Sequence, residues 1–447
     1  MNIHNSICHL RWGYPNISLS RSEIRTCCKT PFQSVSEQDI DTHKIELFLN
    51  TEYQKSRRLE MLQGIRHQDC KSCWSIEDQG ATSLRGNSHQ GFVDYANHNG
   101  MFDEFDDKTL EYISDNVSID SKILESHRPF MLEVSLGNTC DMKCMYCNHV
   151  YSSQWAVESL KNGSINTEIY KSVQSRPNQK FLDMFWEWVN TKAKYSLNRI
   201  GIIGGEPLIT PEFYEFLDRL LEVYQDREGH PKTRIWVVTN LNATDSYYNK
   251  FLEYIPKLSE RFILEVHISG ESLGRQAEYI RNGLDWDRFE KNVNKLFASD
   301  ANIEIAFLPS ITALSIPRFP LFLKWVHELG VRHNKSIMLK QNIVTYPGWQ
   351  TPFILPNEYA EFLNPAIEWL QSIAPSMPEV SDKFGTWTAY TSFLINLRDG
   401  IQNSNPPDIN ILRKFNKWFN EFDQKRNLNF IDTFPELATF YNNCGNI

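Results

Sequence analysis

The chain has 447 residues, with 46 Lys and Arg against 55 Asp and Glu, a formal charge of −9. Apolar residues make up 41% and aromatics 13%, enough for a sizeable core, which excludes a disordered chain, a collagen-like repeat and a coiled coil. The acidic balance argues against a general nucleic-acid binder, which shows a basic stripe, and nine cysteines are too sparse for a disulfide scaffold.

The opening residues MNIHNSICHLRW show no basic segment followed by an apolar one, so no secretory signal is expected. No apolar run approaches the roughly 18 residues of a membrane span. Both features point to a cytoplasmic, reducing compartment, where clustered cysteines signal metal binding or catalysis more often than disulfides. Eight of the nine cysteines fall into two groups: Cys8, Cys27, Cys28, Cys70 and Cys73, then Cys140, Cys144 and Cys147. Two groups suggest two metal sites. Cys444 stands alone in a tail, YNNCGNI, that reads as exposed.

Residues 1–100 show one helical stretch, near 44–63, and otherwise no sustained period. A loop-rich segment of this length with five cysteines owes its order to a metal as much as to a core. Residues 101–129 are acidic and polar and read as a connecting arm. From about 130 the rhythm changes. Apolar, β-branched runs at 130–136, 199–204, 234–239, 262–268, 302–308 and 336–344 alternate with helical patterns at 177–194, 211–226, 246–256, 286–298 and 316–329, which predicts parallel βαβ units.

Several of these strands carry one polar face. Glu265 and His267 alternate with Leu264, Val266 and Ile268; Glu133, Glu304 and Lys340 likewise interrupt apolar runs. Central strands of an open doubly wound sheet read as continuous apolar runs instead. The pattern favours a concave interior holding a polar ligand, hence a partial (β/α)6 barrel of the TIM type over 130–345; interior ion pairs without a ligand are the other reading. Residues 346–447 open with a proline-marked loop and continue as amphipathic helices near 357–372, 384–398 and 409–426.

After the first barrel strand comes LGNTCDMKCMYCNH, which sets Cys140, Cys144 and Cys147 at spacings x3 and x2 in a loop at a strand's C-terminal end, where α/β folds keep their sites. Three thiolates leave one coordination position open for chemistry, unless His149 completes a closed zinc site. The next strand ends in IGIIGGEPL. Gly204 and Gly205 let the backbone approach a ligand closely, and the Glu206 carboxylate suits an ammonium group.

CxxxCxxC with an aromatic (Tyr146) before the last cysteine, followed one strand–helix unit later by GGEP, resembles the radical S-adenosylmethionine (SAM) enzymes. The resemblance covers roughly residues 130–345. It implies a [4Fe–4S] cluster on Cys140, Cys144 and Cys147 whose open iron chelates SAM, with Gly204, Gly205 and Glu206 at the SAM amino group. VTNLN at 238–242 is similar to the family's strand-three element and nominates Asn240 near the ribose. The segment 267–293 is similar to the S-x-D-G element that precedes an Arg, which nominates Ser269 for the ribose and Arg281 for the SAM carboxylate; Gly270 and Glu271 stand where the family's aspartate is expected. The physical chemistry agrees: one-electron reduction of a sulfonium needs an open iron at low potential, and a closed barrel shields the radical that results.

The N-terminal cysteines offer Cys8, one of Cys27 and Cys28, and Cys70-x2-Cys73, a closed four-ligand set that suits zinc as well as iron–sulfur. RRLEMLQGIRHQDCKSCWSIEDQGATSLR resembles the cysteine-bearing element of SPASM/twitch auxiliary-cluster domains, here ahead of the barrel as in twitch domain-containing radical SAM proteins. Their GxxxxC element aligns with Ser22 to Cys27. The resemblance therefore implies one auxiliary iron–sulfur cluster, of the [4Fe–4S] type, on Cys8, Cys27, Cys70 and Cys73, with Ser22 where glycine is usual.

By the same resemblance the protein abstracts hydrogen from a peptide or small polar substrate through a 5′-deoxyadenosyl radical, and takes electrons from a flavodoxin- or ferredoxin-type donor. No membrane partner is expected. Glu265, His267 and Lys340 are the candidates for proton transfer. The contrasting expectation is a non-catalytic scaffold or binding module with zinc at both sites.

Overall fold

In the computed structural model the described residues are 6–42, 44–78, 83–86, 124–126, 129–174, 176–226, 231–299, 301–377 and 385–446, so most of the expected arm at 101–129 lies outside them. They carry eleven strands: β1 (Asn16–Ser18), β2 (Glu23–Arg25), β3 (Gln33–Ser34), β4 (Met131–Ser135), β5 (Lys143–Cys144), β6 (Arg199–Ile203), β7 (Arg234–Thr239), β8 (Ile263–Ser269), β9 (Arg281–Asn282), β10 (Ile303–Leu308) and β11 (Ile337–Leu339). Helices Gln179–Thr191, Pro211–Val223, Asp245–Arg261, Trp286–Phe297 and Phe319–His333 separate β4, β6, β7, β8, β10 and β11. This is the expected α/β order of six strands and intervening helices. None of the described helices is long and apolar enough to cross a membrane.

Local chemistry sets the element ends. Asn178, Asp285 and Ser152 accept hydrogen bonds from the backbone N–H three residues on and so cap their helices, and Pro211 stands in the first turn of its own. The stretch expected as one helix over 44–63 breaks in two, Ile45–Leu49 and Glu52–Leu62, because Thr51 caps the second by accepting from the Gln54 amide. The run at 336–344 is shorter than expected. β11 ends at Leu339, and pairing resumes only as a bridge between Ile311 and Ile343.

The chain divides into two compact units. The first comprises Met1–Asn138, Asn166–Trp236 and Arg261–Ile263. In it β4 pairs in parallel with β6, from Met131 opposite Arg199 to Ser135 opposite Ile203. On its other edge β4 pairs in parallel with β1, which continues as an antiparallel ribbon into β2 and β3. The N-terminal segment therefore extends the sheet of the first barrel strands, an arrangement its short strands gave no period to announce. Gly201 on β6 is dictated by packing: a Cβ there would fall 2.1 Å from the Trp236 ring.

The second unit comprises Thr139–Ile165, Val237–Glu260 and Leu264–Ile447. Its strands β8, β10 and β11 are parallel, with Glu265 opposite Glu304 and His267 opposite Ala306. The C-terminal helices Trp387–Gln402, Ile409–Arg426 and Ala438–Gly445 belong to this unit. Phe415, Phe419, Phe422, Phe430 and Phe434 form an aromatic cluster there, and Tyr279 packs against four of them while its hydroxyl donates to Asp423 at 2.6 Å. Cys444, expected to be exposed, is 2% exposed: its helix turns the thiol inward, where burial pushes its pKa up to about 12.

Candidate active site and metal centres

In the second unit the three-cysteine loop is tied down at almost every residue. The Cys140 amide donates to Ser153 Oγ at 3.1 Å, Ser152 Oγ donates to the Met142 carbonyl at 2.6 Å, and Trp155 Nε1 to the Cys144 carbonyl at 2.9 Å. Gln350 Nε2 donates to the Met145 carbonyl at 2.9 Å. Cys144 lies on β5, which pairs antiparallel with β9 so that Cys144 faces Arg281 in register. The structure thus places Arg281, nominated from the sequence, beside the cysteine loop. Burial raises the Cys144 thiol to about 12 and the Cys147 thiol to about 11, and the Arg281 charge opposes this at both. A cation beside buried thiols favours the thiolate forms that bind iron.

Arg281 has a partner that sequence reasoning left unassigned. Its Nε and Nη2 donate to the two oxygens of Glu271 at 3.0 and 2.6 Å, a bidentate pair with both side chains buried. The Tyr146 hydroxyl reaches Glu271 at 3.3 Å and its ring lies 5.6 Å from the guanidinium. The Ser310 amide also donates to Glu271, at 3.3 Å. Glu271, noted in the sequence only because the expected aspartate is missing, is the anchor of this group; a carboxylate two residues past Ser269 was the available signal.

Asn240 donates to Asp141 Oδ1 at 2.9 Å and Asn242 to Oδ2 at 3.0 Å, which ties the end of β7 to the residue after Cys140. Asp141 and Asn242 were missed, although both lie inside the quoted motifs. Gly283 is required by the same approach: its φ is +106°, and a Cβ would meet the Asp141 carbonyl oxygen at 2.9 Å. Ser269 ends β8, opposite Leu308 of β10.

Further along the strands of this unit, Glu265, His267 and Lys340 converge as the polar face predicted. His267 Nε2 lies 2.7 Å from Glu265 Oε2, and Lys340 Nζ lies 3.8 Å from the same oxygen. Glu265 is completely buried and His267 nearly so. A carboxylate on one ring nitrogen fixes the imidazole's tautomer and orientation.

The first unit carries the glycine pair and the other four cysteines. Gly204 and Gly205 have φ of +99° and +47°, a left-handed succession at the end of β6. A Cβ on Gly204 would stand 2.5 Å from Ser135 Oγ and 2.6 Å from the Gly137 carbonyl oxygen. Glu206 is buried, and its Oε1 accepts from the Leu208 amide at 3.1 Å, which fixes the carboxylate's direction.

Cys8, Cys27, Cys70 and Cys73 are all buried free thiols. They are near enough to act on one another: burial raises Cys8 first, and the charges of Cys27, Cys70 and Cys73 raise it further. Cys28 does not figure in that mutual set. It donates instead to Cys27, which is pulled down to about 7 chiefly by this hydrogen bond, while Cys28 rises. Ser22, at the glycine position of the GxxxxC element, has φ +52°. That is a left-handed backbone conformation, one that a residue with a side chain seldom adopts.

Both sets suit an iron–sulfur cluster by their donor chemistry. Thiolate-only sets are what such clusters take, and beside the four-cysteine set Arg11 is a buried guanidinium whose nitrogens have no hydrogen-bond partner. Among the described residues no three His, Cys, Asp or Glu side chains converge closely enough to hold one metal ion. A cluster spreads its ligands over several irons, one thiolate each.

None of the curated proteins matches the chain by sequence. Among solved structures, Streptococcus suis SuiB bound to S-adenosylmethionine is similar at 12% identity and a TM-score of 0.38, over 65% of this chain and 60% of that one. SuiB bound to precursor peptide SuiA is similar at 12% identity and a TM-score of 0.34, over 80% and 66%. The chain thus spans about 60% of the length of the SAM-bound SuiB chain it matches. Residues 134–313, which hold the three-cysteine loop, the glycine pair and Arg281, match the Radical SAM superfamily, and this part of the chain is a radical SAM domain.

Proposed function

We propose that the protein is a radical SAM enzyme with an auxiliary iron–sulfur cluster, acting on a peptide or a small polar molecule. The observation that carries this reading is the three-cysteine loop, pinned along its length and facing Arg281 across β5 and β9, inside the radical SAM domain. Cys140, Cys144 and Cys147 would hold the catalytic [4Fe–4S] cluster, and Cys8, Cys27, Cys70 and Cys73 the auxiliary one. A cluster held there would supply one-electron reduction of SAM, the chemistry by which hydrogen could be abstracted from the substrate.

The chain's own residues bind and orient. Glu206, its carboxylate fixed by the Leu208 amide, is suited to the SAM ammonium. Gly204 and Gly205 remove side chains from the path of the ligand. Asn240 and Ser269 are suited to the ribose by their places at the ends of β7 and β8. Arg281 is suited to the SAM carboxylate from a guanidinium whose Nε and Nη2 are already held by Glu271. Glu265 holds His267 through Nε2, so that the imidazole can give or take a proton next to substrate, with Lys340 Nζ 3.8 Å from the same carboxylate oxygen. This polar group on the strands supports a polar substrate.

Anaerobic reconstitution of the full chain tests the two-cluster reading. Two four-iron clusters require about eight irons per chain. Replacing Cys140, Cys144 and Cys147 by Ala together should leave about half that iron, and replacing Cys70 and Cys73 should leave the other half. Stoichiometric zinc in place of iron, at either set, would overturn the reading for that set.

A further inference from the structure

Two arginines of the N-terminal segment are among the largest fully buried side chains, and they differ in one respect. The Arg58 guanidinium donates to the carbonyls of Arg11, Leu49 and Leu124 and to Asn50 Oδ1, all within 3.0 Å. The Arg11 guanidinium has Nε, Nη1 and Nη2 all buried and none hydrogen-bonded. Its nearest carboxylate, Asp69, lies 3.7 Å from Nη2, and the same Asp69 oxygen accepts from the Tyr53 hydroxyl at 2.6 Å. Arg11 is held in place by its backbone: its amide donates to the Cys8 carbonyl at 3.0 Å, and its own carbonyl accepts from Arg58.

A buried, permanently charged fork that makes no hydrogen bond and has one carboxylate, at 3.7 Å, is costly unless a further anion completes it. Its place in the chain sets it by the four-cysteine set: Arg11 follows Cys8 by three residues, and Asp69, 3.7 Å from its Nη2, immediately precedes Cys70.

We propose that Arg11 is a positioning residue for the auxiliary cluster, donating hydrogen bonds to its sulfurs and raising its reduction potential. The inference rests on the auxiliary-cluster reading above. Thiolate ligands leave such a cluster anionic, and one-electron reduction adds a further negative charge with no bond made and no proton taken up. A fixed cation with donors at the sulfurs therefore favours the reduced state.

The test uses the full chain with Cys140, Cys144 and Cys147 replaced by Ala, so that the auxiliary cluster alone is titrated with dithionite and followed by electron paramagnetic resonance. Arg11→Gln should lower the midpoint potential by at least the 59 mV that corresponds to tenfold in a one-electron equilibrium. Arg11→Lys, which keeps the charge but not the fork, should fall between the two. An unchanged potential and spectrum in Arg11→Gln would overturn the inference, as would loss of the cluster from both variants, since that marks a packing role. A parent protein that binds no iron would overturn the auxiliary-cluster reading and this inference with it, a result separate from any effect of Arg11.

Discussion

Glu271 and Arg281 show how much a single pair carries in this molecule. Both side chains are buried, the pair is bidentate, and Glu271 also gathers Tyr146 and the Ser310 amide. Removing one partner leaves a buried charge uncompensated, so Glu271→Ala should destabilise the protein by about 3–5 kcal/mol, read from the shift of the urea midpoint. Glu271→Ala with Arg281→Met should recover part of that loss, because neither charge is then stranded. An additive double variant would mean that the two residues act independently. The sequence named Arg281 but not its partner: a motif singles out a residue by spacing, whereas the carboxylate that holds it is chosen by tertiary contact across residues 271–281 and 310. Arg11 was illegible for the same reason, since nothing in a sequence distinguishes a buried arginine that makes no hydrogen bond from one on the surface.

At the level of elements, the six strands and five helices from 130 to 345 were readable because their apolar periods run for whole elements. β1, β2 and β3 were not, because strands of two or three residues carry no measurable period. The C-terminal helices were expected only as a packed extension. The helix Ile409–Arg426 in fact braces the cysteine loop: Arg426 donates to both oxygens of Glu158 at 2.9 and 2.8 Å and to Asn282 Oδ1 at 3.1 Å, and Lys143, next to Cys144, holds Glu158 at 2.8 Å. The same network, with the Lys143 and Arg426 charges, holds the Glu158 carboxyl below its usual range despite burial. Arg426→Met should therefore loosen residues 139–161, seen as faster amide exchange there, and should cost about 1–3 kcal/mol of stability. Exchange unchanged in that segment would show that the brace is incidental.

For the whole molecule, the cysteine count is the feature that organises the chain. Two units each carry one cysteine set, and in each the charge of a buried arginine bears on the thiols: Arg281, in register with Cys144, and Arg11 on Cys27 and Cys70. The polar strand residues Glu265, His267 and Lys340 form a third group that belongs to neither set. The cysteine spacing was legible in the sequence because it is local, whereas groups such as Glu265, His267 and Lys340, brought together from separate strands, leave no comparable pattern. The most direct measurement of the central claim is 5′-deoxyadenosine formed from SAM by the anaerobically reconstituted, dithionite-reduced full chain. The account predicts its formation by the native sequence and its loss when Cys140, Cys144 and Cys147 are replaced by Ala. A protein loaded with iron at both sets that leaves SAM intact, or an equal yield from the variant, would contradict it.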